Sequence, residues 1–174
     1  MRVLCCLDGT NAEQIGRALE MLSAVQPLTV GMLYVIDTGP RKDIDLIRER
    51  FLRPAMHPPH HPPPLMHPPH HVPREEEMSE AERASAQEIL KEGRGYLASA
   101  ETLQREGRPE LEIVNSAAEW HADLVIVCSR AAYRGRREIG PKSVGHVARF
   151  VVDHAPCPVL LLRPLAREQF PIER

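Results

Sequence analysis

Short, nearly continuous apolar runs, set apart by longer stretches of helical periodicity, constrain this chain more than any other feature. Arg2 to Leu7, Leu28 to Ile36, Asp123 to Cys128 and Cys157 to Arg163 are such runs, and Tyr96 to Gln104 is a fifth, weaker one in which Leu97, Ser99, Glu101 and Leu103 alternate with small or polar residues. A strand that is apolar at consecutive positions is buried on both faces, which is the condition of a parallel sheet covered by helices. Between the runs, Ala12, Ile15, Leu19 and Leu22 predict a helix up to about Val25, closed by Pro27. A second helix is expected from about Ser79 to Glu92, stopped by Gly93 and Gly95. A third opens at Arg108-Pro109 with Leu111, Val114 and Ala118 on one face, and a last one starts near Ser143 with Val144, Val147, Val151 and His154 in register. Strands alternating with helices imply right-handed crossovers and an open, doubly wound, Rossmann-like α/β sheet. Such sheets bind ligands outside the carboxyl ends of their strands, where the strand order reverses.

The 174 residues suffice for one core, so a single domain over 1–174 is expected, with an insertion at about 54–74 and a short tail at 165–174. A formal net charge of -2 provides no strong field for nucleic acid or for a membrane surface. The longest apolar runs fall far below the roughly 20 residues of a membrane span. Cys5, Cys6, Cys128 and Cys157 all lie in strand-like segments without a C-x-x-C pair, which suggests reduced, buried thiols in a cytoplasmic protein.

The insertion is composed almost wholly of proline and histidine, and Met-His-Pro-Pro-His-His occurs in it twice, beginning at Met56 and at Met66. Proline at this density removes backbone donors and favours polyproline II, so the segment reads as a surface insertion. A short amphipathic helix with Ile44, Ile47 and Phe51 is expected before it. His57, His60, His61, His67, His70 and His71 supply imidazoles that suit Zn, Ni or Cu. The same stiff segment also suits docking into the groove of a protein partner. Both readings stay open.

Three places suggest a small-molecule site: Asp8 after the first strand, Val35-Ile36-Asp37 at the end of the second, and the loop from Cys128 to Ser143. A helix beginning at Ser143 offers unpaired amides and a positive dipole end to a phosphate, and Lys142 with the loop arginines adds charge. Asp8 suits a ribose hydroxyl or a metal-bound phosphate, and equally suits the cap of the following helix. The chain contains no G-x-S-x-G elbow, H-E-x-x-H pair or Walker sequence, so the reading is of a binding or regulatory protein, at most a slow ATPase.

The segments Val3 to Thr10, Leu33 to Asp37, Ala122 to Arg130 and Ser143 to Arg163, the last ending His-Ala-Pro-Cys-Pro-Val-Leu-Leu-Leu-Arg, resemble the universal stress protein family. The resemblance implies a five-stranded parallel sheet in the order 3-2-1-4-5, and a homodimer formed by pairing the last strands, here Val159 to Leu162. It also implies a stress-response regulator or adaptor. Some members bind ATP through a loop reading Gly, two residues, Gly, nine residues, Gly and then Ser or Thr. Here Cys128 and Ala131 replace the first two glycines, ten residues follow, and Lys142-Ser143 closes the loop. The family's nucleotide contacts, with ATP and Mg as the ligand, then fall on Asp8, Val35, Cys128, Arg130, Ala131, Lys142, Ser143 and Val144.

Overall fold

A computed structural model describes residues 1–39, 75–129 and 144–163. Within them β1 (Arg2–Leu7), β2 (Thr29–Asp37), β3 (Glu101–Gly107), β4 (Leu124–Cys128) and β5 (Val159–Leu162) form one parallel sheet in the order β3-β2-β1-β4-β5. The helices described are α1 (Ala12–Ser23), α2 (Glu75–Tyr96), α3 (Pro109–Glu119) and α4 (His146–His154). The open, doubly wound α/β sheet expected from the sequence is present, with the strand order implied by the resemblance.

The period-two alternation of β1 divides the core. Val3, Cys5 and Leu7 face α1 and α2, where they pack with Ile15, Leu19, Met32, Leu90 and Ile126. Leu4 and Cys6 face α3 and α4, where they pack with Leu33, Ile113, Trp120, Val125 and Val151. Because β1 lies between β2 and β4, every one of its side chains from Val3 to Leu7 is buried, which is why the run reads as apolar without a break.

Local departures from the expected elements have physical causes. α2 does not stop at Gly93 but continues to Tyr96, so Tyr96 is helical and β3 begins only at Glu101. A β-carbon on Gly93 would lie 2.5 Å from Met32 Sδ and 2.9 Å from Leu7 Cδ1. That glycine lets the helix approach the sheet closely rather than ending it. Pro109 does open α3, but the buried positions are Glu110, Ile113, Ser116 and Ala117, and Leu111 is exposed. α4 begins at His146, not Ser143, because Gly145 at its N-cap holds a φ of 85°, which breaks the helical path. Its buried residues are Ala148 and Val151, with Val144 and Val147 packed partly against the core. His154 ends α4, donating from Nδ1 to the Phe150 carbonyl at 2.9 Å and stacking on the Phe150 ring.

All four cysteines are free. Cys5 and Cys6 are buried, whereas Cys128 and Cys157 are half-buried. Burial, with a smaller effect of Cys128, pushes the Cys5 thiol up to about 12. The expected helix around Ile44, the His/Pro insertion and the C-terminal tail lie outside the described residues. Among the described residues no helix is long and apolar enough to cross a membrane.

Candidate functional site

In the order β3-β2-β1-β4-β5 the chain direction of the crossovers reverses between β1 and β4, and a cleft of about 380 Å³ opens at the carboxyl ends there. Its floor is apolar, made by Leu33, Ile113 and Val127, and its rim is polar. Asp8, Val35, Cys128 and Val144, all expected at such a site from the sequence, line this one cleft. Arg130, Ala131, Lys142 and Ser143 lie outside the described residues, as do the six insertion histidines. Among the described residues no group of three or more His, Cys, Asp or Glu is placed to hold a metal ion.

Asp8 does not cap α1. Its Oδ1 accepts from the N–H and the hydroxyl of Thr10, both at 2.9 Å, in a tight turn that Gly9 completes at a φ of 90°. The other carboxylate oxygen of this exposed residue has no hydrogen bond among the described residues and is available at the rim. Asn11, at the N-cap of α1, makes no side-chain cap either. It is buried and clamps the end of β1, donating from Nδ2 to the Cys6 carbonyl and accepting at Oδ1 from the Asp8 N–H.

Opposite stands the first turn of α4. Among the described residues no side chain caps it, and His146, Val147 and Ala148 all line the cleft. Amides at an uncapped helix start favour an anion. Beside them is a cluster from α3. Glu110, with its side chain 7% exposed, accepts at Oε1 from Arg108 Nε at 2.8 Å, from the same guanidinium's second nitrogen, and from His146 Nε2 at 3.4 Å. Burial alone would raise the Glu110 pKa, but its own backbone N–H, Arg108 and His146 together hold it below its ordinary value. The carboxyl is therefore ionised.

Across the cleft the groups are acidic or neutral. Asp37 accepts from the Gly39 N–H at 2.8 Å. Burial, reinforced by Glu82, Asp37 and Asp8, raises the Tyr34 pKa, so the phenol remains a neutral donor. Burial also raises the Cys128 thiol, with the Asp8 charge adding to it and a hydrogen bond from Asn11 opposing it. The cleft thus has an acidic rim at the ends of β1 and β2 and a donor-rich rim at the start of α4.

The sequence pattern of the universal stress protein family matches residues 55–163, more than half of the chain. The chain belongs to the universal stress protein family. β1 and α1 lie before the matched residues, yet solved structures extend the likeness to nearly the whole chain. Universal stress protein UspA from Lactobacillus plantarum shares 22% identity at a TM-score of 0.60, covering 94% of this chain and 97% of its own. A universal stress protein family protein from Arabidopsis thaliana, solved with AMP bound, shares 13% identity at a TM-score of 0.51, with 99% of this chain and 97% of that one covered. A universal stress protein solved in complex with cAMP shares 16% identity at a TM-score of 0.50, covering 95% and 98%. No curated protein sequence matches the chain.

Of the residues that line the cleft or stand beside it, the sequence reading named Asp8, Val35, Cys128 and Val144 but not Asn11, Tyr34, Glu110 or His146. Asn11 and His146 stand within a few positions of Asp8 and Val144, which were singled out. Glu110 had no signal, since a carboxylate in the first turn of a helix ordinarily reads as a solvated dipole partner.

Proposed function

We propose that this universal stress protein family member binds an adenine nucleotide in the cleft between the ends of β1, β2 and β4, and acts as a stress-response regulator or adaptor through its occupancy. The observation that carries the reading is the convergence of Asp8, Val35, Cys128 and Val144 on one cleft at the topological switch point. At about 380 Å³ it falls within the roughly 300–1,000 Å³ of ordinary small-molecule sites. Relatives of the same fold solved with AMP and with cAMP support the ligand class. In this reading the apolar floor receives the base beside Val35, and Asp8 holds a ribose hydroxyl or a Mg-bound phosphate. The phosphates then face the first turn of α4 together with Arg130, Ala131, Lys142 and Ser143. No residue is assigned a catalytic role.

The protein in this proposal is one cytoplasmic domain over 1–174, carrying the insertion at 54–74. It is a homodimer through β5, whose outer edge has no strand partner among the described residues. Titration calorimetry of metal-stripped protein with ATP and Mg tests the nucleotide. Micromolar binding that Asp8→Ala weakens about tenfold is expected, the effect of losing a hydrogen bond to a charged group. Absence of binding at millimolar ATP overturns the reading.

A further inference from the structure

His146 occupies the first position of α4, where the positive end of the helix dipole disfavours an imidazolium. Nor is it needed to satisfy Glu110, because Arg108 already gives two donors to the same carboxylate oxygen. The geometry instead leaves the ring held at one end and available at the other. Nε2 lies 3.4 Å from Glu110 Oε1, while 70% of the side chain is exposed at the wall of the cleft. Glu110 is ionised and can only accept, so it fixes the proton on Nε2. Nδ1 makes no hydrogen bond among the described residues. A neutral ring therefore presents a lone pair at Nδ1, and a protonated one presents a charged donor.

We propose that His146, positioned by Glu110, is a proton-dependent phosphate contact of the cleft, so that an anionic ligand binds with uptake of a proton. This rests on the nucleotide reading above and adds to it the residue that makes the site respond to pH. From α3, Glu110 favours the imidazolium and Arg108 opposes it. On α4 the first-turn amides oppose it, and Arg149 follows less than one turn on. Across the cleft Asp8 and Asp37 favour it, while Tyr34 and Cys128 are neutral. A phosphate at the start of α4 adds negative charge beside the ring and raises its proton affinity. By linkage, protonation raises the affinity for the phosphate by the same factor.

The test needs an anion whose own charge is constant, and cAMP, a phosphodiester, keeps a single charge between pH 5.5 and 8. Full-length wild type and His146→Gln are titrated with cAMP and with AMP at about pH 5.5 and 8.0, which bracket the range in which imidazoles titrate. Wild type is expected to bind cAMP about three- to tenfold more tightly at the lower pH, the range of a charge-assisted hydrogen bond at a partly exposed site. His146→Gln, whose exposed position leaves the fold intact, is expected to bind equally at both. Equal wild-type affinity at the two pH values, or a dependence that survives in His146→Gln, overturns the inference and leaves the nucleotide reading standing. No binding of either nucleotide at either pH overturns both.

Discussion

The amide of Asn11 donates from Nδ2 to the carbonyl of Cys6 at 2.9 Å, and its Oδ1 accepts from the N–H of Asp8 at 3.1 Å. One buried side chain from the start of α1 thereby ties off the last turn of the central strand and sets where the Asp8 carboxylate stands. Asn11→Ala leaves the Cys6 carbonyl without this buried donor. A loss of about 1–3 kcal/mol is expected in urea denaturation.

The indole of Trp120 covers Gly31 on the central part of the sheet. A β-carbon at Gly31 would lie 2.9 Å from Cζ2, and the ring cannot easily yield. Its Nε1–H is bonded to Glu101 at 2.9 Å, and the Arg2 guanidinium lies 4.1 Å from its centroid on the ring face. Gly31→Ala is expected to destabilise by about 1–3 kcal/mol, as overpacking in a close-packed core does. Trp120 is the single tryptophan, so its fluorescence reports the displacement directly. Gly95→Ala meets nothing within 4 Å and removes a helical glycine, so it is expected to stabilise by about 0.5–1 kcal/mol.

Glu110 gives acid stability a defined sign. Its pKa is lowered in the folded state, so its contribution is complete above the ordinary glutamate value of about 4.3 and is lost as pH falls through the lower folded value. Measured in a His146→Gln background, which removes the coupled imidazole, the loss of thermal midpoint on Glu110→Gln is therefore expected to be constant from pH 5 upward and to close below it. A difference that persists unchanged at pH 3 would show that the carboxylate charge is not what stabilises the cluster.

The edge of β5 can be closed without removing a hydrogen bond of the β4–β5 ladder. The Pro158 and Leu162 carbonyls accept from Val125 and Ser129, so the even-numbered residues face β4 and the N–H groups of Val159 and Leu161 face outward. Proline is tolerated in a strand where its missing donor would face solvent. Leu161→Pro is expected to turn the proposed dimer into a monomer in light scattering while the far-UV circular dichroism is kept. A dimer that persists places the interface elsewhere.

How far the sequence could be read depended on burial. β1 and β4 lie inside the sheet, so their apolar runs marked both their extent and their parallel pairing. β3 is an edge strand of mixed, largely polar residues, and its start was misplaced because Tyr96 ends α2 and the Leu97 N–H still bonds back to the Gly93 carbonyl. In α3 the period was sound but the face was wrong: Glu110 is buried and Leu111 exposed, because the Arg108 guanidinium satisfies the carboxylate with two donors. The position of the cleft was legible where it follows from topology, at the strand ends carrying Asp8 and Val35. Its composition was not legible where it depends on a contact between α3 and α4, since Glu110 and His146 are 36 positions apart.

The walls of the cleft come from five separate stretches of chain, from Cys6 on β1 to Ala148 on α4. Val3 and Leu124, which open the β1–β4 ladder beneath it, come from opposite halves of the chain. The cleft is consequently absent from any partly folded form in which the two halves of the chain have not met. A molecule that fits it must recognise the finished tertiary structure, and its binding energy is shared by the whole sheet rather than by one loop. If the proposed nucleotide occupies it, the protein responds to two things at once: the concentration of that nucleotide and the integrity of its own fold.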